Sequence, residues 1–470
     1  MGLWRRLYAG RLALSAALRY DHRQLTEACL SDAPAVAAAL ERFRNPASRA
    51  APAFGLDHIR RALARLGDPQ DSAPTAIHIT GTNGKGSTGA FIRAMAEASG
   101  LSAHVFTSPH LVAANERIRI AGRLASDDEL AATLIHIAEN TEGLTYFEAL
   151  TAAAFVLFAR YPADISIIEV GAGGATDATN VMSRPAATVI TPISRDHEIM
   201  FGVSGVAAIA RLKAGIFRRR VPAVLAEQPP SALDALREEA SAIGAPLHSA
   251  HQHWKAAWRD GAFVFGGKHV QVRAPWLALP GAHQSENAGA ACAAVEMLQD
   301  PRFTPETMAA GLREAHWPAR LQKLSDGPLT RNQTSEIFID AAHNPAGAAA
   351  LAAAIRVARR PGDRVAVIIA MQGAKDAEGM LAELASPDKG VADDIIACEL
   401  PDSGGQEGGP GAAPAHLAAI ARTLGAHALE AQDYLDALKL AQASGAARIY
   451  VCGSLYLCGA LLSANGERVE

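Results

Sequence analysis

The chain has 470 residues, of which 49% are apolar and 20% charged, and its formal net charge is −4 at pH 7. This length exceeds one ordinary core and predicts two or three domains. The charge balance gives no electrostatic reason to bind nucleic acid or an anionic membrane. Five scattered cysteines without a C-x-x-C pair argue against disulfides and a thiolate zinc site. We therefore expect a cytoplasmic enzyme that acts on a small molecule.

Residues 1–50 are predicted to form an N-terminal extension that is helical or disordered. Its first part carries Arg5, Arg6, Arg11 and Arg19 and no acidic residue. A targeting peptide, a solvated helix and a misassigned start codon are three explanations that the pattern leaves open. A stretch rich in Pro, Ala and Ser follows at 45–53 and is typical of a linker. Folded structure is expected to begin near Phe54.

The next part of the chain alternates short β-branched runs with helical patterns. The spacing of Ser126 and Glu129 predicts a capping box at the start of one helix. This alternation predicts a mostly parallel sheet with helices on both faces. The predicted strands lie at 76–80, 103–107, 165–170, 187–191 and 223–226, and the predicted helices at 87–99, 127–137, 147–160 and 203–217.

A second α/β series follows a predicted hairpin at 262–273 and two helices at 283–298 and 305–315. The predicted boundary lies near Trp317-Pro318, which gives domains at 51–317 and 318–470. The fold class is thus α/β, with an N-terminal P-loop-type doubly wound, mostly parallel sheet domain and a smaller C-terminal Rossmann-like α/β domain. The strands of the second series are predicted at 336–339, 364–370, 394–398 and 448–452, and its helices at 345–359, 377–384, 413–424 and 434–444.

The most informative segment is a glycine-rich turn that follows an apolar strand and reads GTNGKGST at 81–88. Glycines let the backbone wrap around an anion, the amides of the following helix N-terminus point toward it, and Lys85 adds a positive charge. The spacing departs from G-x-x-x-x-G-K-[ST]. The segment predicts a nucleotide phosphate site, and the alternative is a glycine-rich turn without a ligand.

Polar residues also stand where other predicted strands end, which is where open α/β sheets bind ligands. Glu169 ends one apolar strand, His197 follows the next, and Ser108 follows the strand after the phosphate loop. Mg²⁺ bound to a nucleotide would suit these oxygen and nitrogen ligands. The alternatives are an Arg partner or a cap of the following turn for Glu169, a structural role for His197 and a turn or cap role for Ser108. Lys213 by its helical pattern alone would be a solvated surface residue.

Nine motifs in order resemble the folylpolyglutamate synthase/dihydrofolate synthase family of the Mur ligase superfamily, over the chain from about Phe54 to its end. They are GTNGKGST at 81–88, TSPHL at 107–111, NERI at 115–118, LTYFE at 144–148, DATN at 177–180, DH at 196–197, KAGI at 213–216, His283-Gln284 with Asn287, and Asp340 with AHNP at 342–345.

The resemblance implies an ATP-dependent amide ligase. ATP would phosphorylate a carboxylate of dihydropteroate or of a tetrahydrofolate, and the amine of L-glutamate would then attack the acyl phosphate. The implied cofactors are ATP and Mg²⁺, with two ions, and K⁺ is a further candidate. The protein is expected to be a monomer that binds these small molecules and neither nucleic acid nor a membrane. Because both domains would contact ATP, catalysis should require their closure.

The resemblance also assigns roles by position. The catalytic residues would be Lys85, Lys213 and His197. The magnesium ligands would be Ser108, Glu169, His197 and Lys213, the last after carbamylation. The nucleotide would contact Asn83, Gly84, Lys85, Gly86, Ser87, Asn287, Arg320, Asp340 and His343. The acid substrate would contact Phe54, Thr145, Tyr146, Phe147, Glu148, Thr176, Asp177 and Ala178.

Several positions depart from the family pattern, namely Ala175, Arg195, Leu212, Ala282 and the segment MQGAKD at 371–376. They leave the proposed magnesium ligands and Lys85 in place and bear on substrate choice. Two other functions stay open. One is a different Mur-type ligase that joins an amino acid to another acid, and the other is a noncatalytic paralogue that binds nucleotide or pterin. The combination of Lys85, Glu169, His197 and Lys213 argues against the noncatalytic paralogue.

Overall fold

The computed structural model describes residues 32–44, 55–196, 198–331, 333–385, 391–401, 409–467 and 469. Phe54, His197 and most of the predicted N-terminal extension lie outside these ranges. Within them, no helix combines the length and the hydropathy needed to cross a membrane. The described chain forms two large sheets, which lie on either side of residue 318.

The first large sheet has eight strands in the order β4-β3-β2-β5-β1-β6-β7-β8. Strand β1 lies between β5 and β6 and runs parallel to both, and only the edge strands β3 and β4 join by antiparallel pairing. The predicted mostly parallel sheet is therefore confirmed. The strands are β1 (Ala76–Thr80), β2 (Ala103–Phe106), β3 (Ile118–Ile120), β4 (Arg123–Leu124), β5 (Ile165–Glu169), β6 (Ala187–Ile190), β7 (Ala223–Leu225) and β8 (Leu247–Ser249).

Helices cover both faces of this sheet, and one apolar cluster lies on each side of the central strands. Three of the described helices begin with capping boxes, at Ser126 with Glu129, at Thr145 with Glu148 and at Thr304 with Thr307. The helices are α1 (Pro34–Glu41), α2 (Asp57–Arg65), α3 (Pro69–Ser72), α4 (Lys85–Ala98), α5 (Asp127–Asn140), α6 (Tyr146–Arg160), α7 (Glu198–Phe201), α8 (Val206–Ala214), α9 (Pro230–Ile243), α10 (Gln284–Glu296) and α11 (Pro305–Glu314), and a 3₁₀ turn spans Ala114–Arg117.

Helix α1 lies inside the stretch predicted to be an extension, yet it is part of the core. Val36, Leu40 and Phe43 are buried in the same apolar cluster as residues of α5 and α6. Burial of three large side chains contributes several kcal/mol at roughly 1.5–3 kcal/mol each. Packed structure therefore starts before Phe54, the residue near which folded structure was expected to begin.

The predicted hairpin at 262–273 belongs to a small antiparallel sheet of three strands. The order is β11-β10-β9, and β9 pairs with β10 along its whole length. Strand β9 was missed because its alternation is weak, with most of its side chains partly or fully exposed. The strands are β9 (Lys255–Arg259), β10 (Ala262–Gly266) and β11 (Gln271–Ala274).

The second large sheet has six strands in the order β12-β13-β17-β14-β15-β16, parallel except for β12. This arrangement confirms the smaller C-terminal α/β domain. The bounds of this domain and of the N-terminal domain remain predictions. The strands are β12 (Gln322–Lys323), β13 (Glu336–Ile339), β14 (Val365–Ile369), β15 (Asp394–Ala397), β16 (Ala428–Glu430) and β17 (Arg448–Cys452). The helices are α12 (Pro345–Ala358), α13 (Ala377–Leu384), α14 (Pro414–Thr423), α15 (Tyr434–Ala443) and α16 (Leu455–Ala464).

Some elements gave no usable signal in the sequence. Helix α16 is buried on nearly all sides, so it lacks the polar stripe that marks an amphipathic helix. Strands β3, β4, β8 and β16 have only two or three residues each, which is too short for a periodic pattern. Helices α2 and α9 were also missed, although both are amphipathic.

Candidate active site

The phosphate loop joins β1 to α4, at the edge where the central parallel strands end. Gly81 and Gly84 have φ angles of 150° and 90°, and Gly84 is the N-cap of α4. A side chain at Gly81 would overlap Thr191, and one at Gly84 would overlap the amide of Asn287. Both positions thus require glycine for conformation and for space. The N-terminus of α4 supplies the partial positive charge that favours an anion.

Lys85 is the first residue of α4, and its side chain turns back over the loop. Its Nζ lies 3.4 Å from the carbonyl oxygens of Gly81 and Thr82 and 3.9 Å from Oε1 of Glu169. The side chain is 17% exposed. An ammonium group in this setting is placed to meet negative charge that enters the loop.

Glu169 ends β5 and pairs in register with Ile79 of β1. Burial raises the pKa of its carboxyl to about 7, although Lys85, Arg320 and the backbone N–H of Ser108 favour the charged form. The structure thus brings Glu169 and Ser108 together, two of the three residues predicted to be direct magnesium ligands. A buried carboxylate beside a serine residue suits a hard divalent cation. The third, His197, lies outside the described residues, among which no three His, Cys, Asp or Glu side chains form a metal cluster.

Lys213 on α8 is buried and belongs to the same site. Its Nζ donates a 2.8 Å hydrogen bond to the carbonyl oxygen of Gly81. Burial lowers the pKa of Lys213 to about 7, the charge of Lys85 adds to this shift, and Asp196 and Asp177 oppose it. The solvated-surface interpretation of Lys213 is therefore wrong, because α8 turns this side chain toward the phosphate loop.

The N-terminal end of α10 closes the loop from the side. Asn287 donates to Oε1 of Gln284 at 2.9 Å, and its own carboxamide stands against Gly84. Gln284 in turn reaches the hydroxyl of Ser87 at 3.5 Å. The structure therefore places the predicted nucleotide residues Gly84, Ser87 and Asn287 side by side. Gly86 faces the indole of Trp317, which lies in the interdomain linker, residues 315–321 between α11 and β12.

The second sheet contributes Arg320, Asp340 and His343. Asp340 follows β13 and accepts hydrogen bonds from the N–H groups of Leu321 at 2.8 Å and Ala342 at 2.9 Å. Burial lowers the pKa of His283; the charge of Arg320 lowers it further, and the charge of Asp340 raises it. Side chains from both domains therefore share one electrostatic environment. His343 contacts the Ala341 carbonyl at 2.9 Å and lies 3.7 Å from Asp196.

The residues predicted to bind the acid substrate fall at two adjacent places. At the start of α6, Thr145 accepts from the N–H of Glu148, whose carboxylate accepts the N–H of Thr145 at 2.8 Å. Tyr146 is buried with the guanidinium groups of Arg44 and Arg117 each 5.6 Å from its ring centre. Thr145 and Glu148 thus hold the helix terminus in place, whatever they contact in a complex.

Phe147 connects that helix terminus to the glycine-rich turn that follows β5. Its ring would overlap a side chain at Gly171 and lies 5.9 Å from the ring of Phe106. In the next turn Thr176 is exposed and Ala178 is buried. Phe147 therefore packs against the start of the turn that leads from Gly171 to Thr176 and Ala178.

Asp177 has a buried carboxylate that organises this turn. Its Oδ2 accepts the Ala172 N–H at 3.0 Å, and its Oδ1 accepts both the N–H and the hydroxyl of Thr179, at 3.0 and 2.5 Å. The hydroxyl of Thr179 also lies 2.9 Å from Nε2 of His78 in β1. Because that hydroxyl donates to Asp177, the imidazole of His78 must donate to it. Burial raises the pKa of Asp177 and lowers that of His78 to about 3.

Several residues in the site had no role assigned from the sequence. Asn344 caps α12 by accepting the Gly347 N–H at 2.9 Å, and its amide also contacts Asn83 of the phosphate loop. Lys375 forms a 2.8 Å ion pair with Asp196. An Asn directly before Pro at a helix start signals a cap, but nothing in the local sequence indicates a partner 261 residues away.

Two family models match the chain. Residues 79–295 match the Mur ligase middle domain, and residues 323–464 match the dihydrofolate synthetase C-terminal domain. Together with the phosphate loop at the edge of a parallel sheet, these matches define the class. The protein is an ATP-dependent ligase of the Mur type that forms carbon–nitrogen bonds.

Individual relatives identify the family within that class. Dihydrofolate synthase/folylpolyglutamate synthase of Bacillus subtilis is 34% identical over 347 residues, which is 70% of this chain and 78% of the relative. The structure of Escherichia coli FolC in complex with DHPP and ADP aligns with a TM-score of 0.76 at 30% identity, over 87% of this chain and 92% of that one. A bifunctional folylpolyglutamate synthase/dihydrofolate synthase with Mn, AMPPNP and L-glutamate bound aligns with a TM-score of 0.75 at 30% identity, over 87% and 94%. The chain belongs to the dihydrofolate synthase/folylpolyglutamate synthase family, as the motifs indicated.

Proposed function

We propose that this protein uses ATP to join L-glutamate to dihydropteroate, to the γ-carboxylate of tetrahydrofolates, or to both. Its relatives are named for these activities, and solved relatives bind ADP with DHPP, or AMPPNP with manganese and L-glutamate. The observation that carries the proposal is the grouping of Lys85, Glu169 and Lys213 around one phosphate loop. A ligase needs such a charged centre, whereas a protein that only binds a pterin does not.

The reaction divides into two displacements. A carboxylate oxygen of the acid attacks the γ-phosphorus of ATP, and ADP leaves. The amine of glutamate then attacks the acyl carbon, and inorganic phosphate leaves with the transfer of one amine proton to a base. In the first step Lys85 would offset charge on the phosphoryl oxygens, and the amides of the loop would hold the phosphates in line.

Ser108, Glu169 and His197 would hold Mg²⁺, which when bound supplies Lewis-acid neutralisation of the phosphate charge. Two ions, and K⁺ as a further cation, are part of the proposal. The raised pKa of Glu169 supports it, since a buried carboxylate at this position favours a cationic partner.

Lys213 would act after conversion to a carbamate. Its lowered pKa supplies the neutral amine that reacts with CO₂, with the loss of one proton, and the product is an anion able to bind a second metal ion. Mass spectrometry under non-denaturing, bicarbonate-containing conditions tests this separately from turnover, because the adduct adds the mass of one CO₂ to the wild type and none to a Lys213→Met variant.

Phosphate release from ATP tests the main proposal, measured with dihydropteroate, with a tetrahydrofolate or with neither, each with and without L-glutamate. We expect release that requires both an acid of this class and glutamate. Release only with another acid and another amino acid would instead support a different Mur-type ligase. An active-site variant, Lys85→Met, is the control for contaminating ATPases.

A further inference from the structure

The phosphate loop and the C-terminal domain are joined by a pair of side-chain amides. Nδ2 of Asn83 donates to Oδ1 of Asn344 at 3.1 Å, and Nδ2 of Asn344 donates to Oδ1 of Asn83 at 2.9 Å. Each amide thus both gives and accepts a hydrogen bond across the domain interface. Asn344 also caps α12, so this contact links the loop directly to a helix of the other domain.

An ion pair joins the same two domains at the end of the next strand. Lys375, which lies between β14 and α13, contacts Asp196 at 2.8 Å, and His343 lies 3.7 Å from the same carboxylate. The side chains of Lys375 and Asp196 are 15% and 8% exposed. Because the pair is largely shielded from water, loss of either partner would leave a shielded charge without compensation, which costs more than breaking a surface ion pair.

The part of the interface next to the interdomain linker, here called the hinge, is packed through apolar side chains. Leu111 of the first domain packs into the core of the second, next to the linker. The linker contains two residues with left-handed backbone, Ala319 and Leu321, at φ of 54° and 46°. Between Leu111 and Trp317 the packing is incomplete, since these residues line a cavity together with Arg93 and Leu455. Apolar contacts therefore hold the hinge, and polar contacts hold the domains together at the site.

We propose that Asn344 and Lys375 are positioning residues that form an interdomain latch, composed of the Asn83–Asn344 and Asp196–Lys375 pairs, which holds the ligase closed during turnover. The latch acts on the phosphate loop and on the strand end next to it, so its engagement brings Asp340 and Arg320 to the nucleotide side of the loop. Neither residue needs to touch the reacting atoms for this effect. The expected change in kcat rests on the proposed ligase function, whereas the expected change in domain closure does not.

The competing explanation for Asn344 is that it only caps α12. The Asn344→Ser variant separates the two roles, because serine is an equally good N-cap but its shorter side chain no longer reaches Asn83. Asn344→Ala removes both roles and measures the cost of the cap. For the ion pair, Lys375→Met removes the charge. Lys439→Met is its matched control, since Lys439 pairs with Asp436 on the surface of α15.

Two measurements on the full chain test the latch. The first is kcat for ATP-dependent ligation, which we expect to fall about tenfold in Asn344→Ser and in Lys375→Met. The melting temperature of Asn344→Ser and all properties of Lys439→Met should stay those of the wild type. The second is the radius of gyration by small-angle X-ray scattering with AMPPNP and Mg²⁺, which should be larger in both latch variants than in the wild type.

The scattering experiment needs neither acid nor glutamate, so it decides the latch even if the proposed substrates are wrong. Wild-type kcat in Asn344→Ser and Lys375→Met would overturn the proposal. A lowered kcat with a wild-type radius of gyration would also overturn it, because the residues would then act at the reacting atoms and not on closure.

Discussion

The ammonium group of Lys85 stands 3.9 Å from the carboxylate of Glu169, which lies 84 residues further along the chain. The two residues meet because β1 and β5 are parallel neighbours, so a loop that leaves one strand passes the last residue of the other. This geometry couples the phosphate loop to the proposed metal ligand. It also makes the pair the most direct target for mutation.

Lys85→Met and Glu169→Gln should each lower kcat at least about 100-fold, since each removes a charge that would act on the transferred phosphoryl group. The fold should persist, because both substitutions preserve size. Phosphate release at saturating ATP and Mg²⁺ measures the effect. Glu238→Gln, at an exposed ion pair on α9, is the matched control and should turn over normally. Rates near wild type in either site variant would contradict the site assignment.

Gly86→Ala should impair ATP binding, whereas Gly89→Ala, one turn further along α4, should be tolerated. A methyl group at Gly86 would lie 2.6 Å from Nε1 of Trp317, whereas one at Gly89 would meet Ile167 at an ordinary 3.5 Å. We expect Gly89→Ala to be neutral or stabilising by up to about 1 kcal/mol. Gly86→Ala should raise the KM for ATP and change the tryptophan fluorescence, because Trp317 must move. Equal KM values in the two variants would show that the linker does not contribute to the nucleotide site.

The buried His78 should make the protein lose stability in mild acid. Its pKa falls from 6.5 in the unfolded chain to about 3 in the folded one, chiefly because of burial. Between these values the unfolded state binds more protons, so the free energy of unfolding rises with pH and falls on acidification by up to about 1.4 kcal/mol per unit. His78→Gln, which preserves a donor toward Thr179, should remove this part of the slope.

Urea titrations between pH 4 and pH 7 measure that slope. His416→Gln, at an exposed position on α14, is the control and should preserve the wild-type dependence. If His78→Gln and the wild type lose stability in parallel below pH 6.5, the shifted pKa of His78 is not the cause of the acid sensitivity.

Asp177→Asn should destabilise the protein by about 2 kcal/mol or more. Both carboxylate oxygens accept hydrogen bonds from Ala172 and Thr179, and the amide nitrogen of asparagine would face one of these donors. The KM for the acid substrate should rise as well, since the turn next to Phe147 depends on this side chain. Chemical denaturation and steady-state kinetics report the two effects. An equally large loss in Asp71→Asn, at an exposed site, would show that the carboxylate of Asp177 is not special.

Much of the fold could be predicted because its strands are short apolar runs bounded by glycine-rich turns. The bounds of strands β1 and β6 were predicted to within one residue. The capping box at Ser126 formed as its spacing indicated. Prediction failed where the local pattern carries no information, and it also missed the amphipathic helices α2 and α9. Helix α16 is apolar on nearly all sides, and α1 lies in the stretch predicted to be an extension but packs into the core through Val36 and Leu40.

The amino-acid sequence by itself determined the phosphate loop, the family motifs and the strand ends that carry Glu169 and Ser108, because these depend on residue type and on short spacings. The tertiary structure alone decided that Lys213 turns inward to Gly81 and that Asn344 meets Asn83. Such contacts join residues more than a hundred positions apart. They depend on how helices and domains dock, and docking is set by packing of whole surfaces that no local pattern encodes.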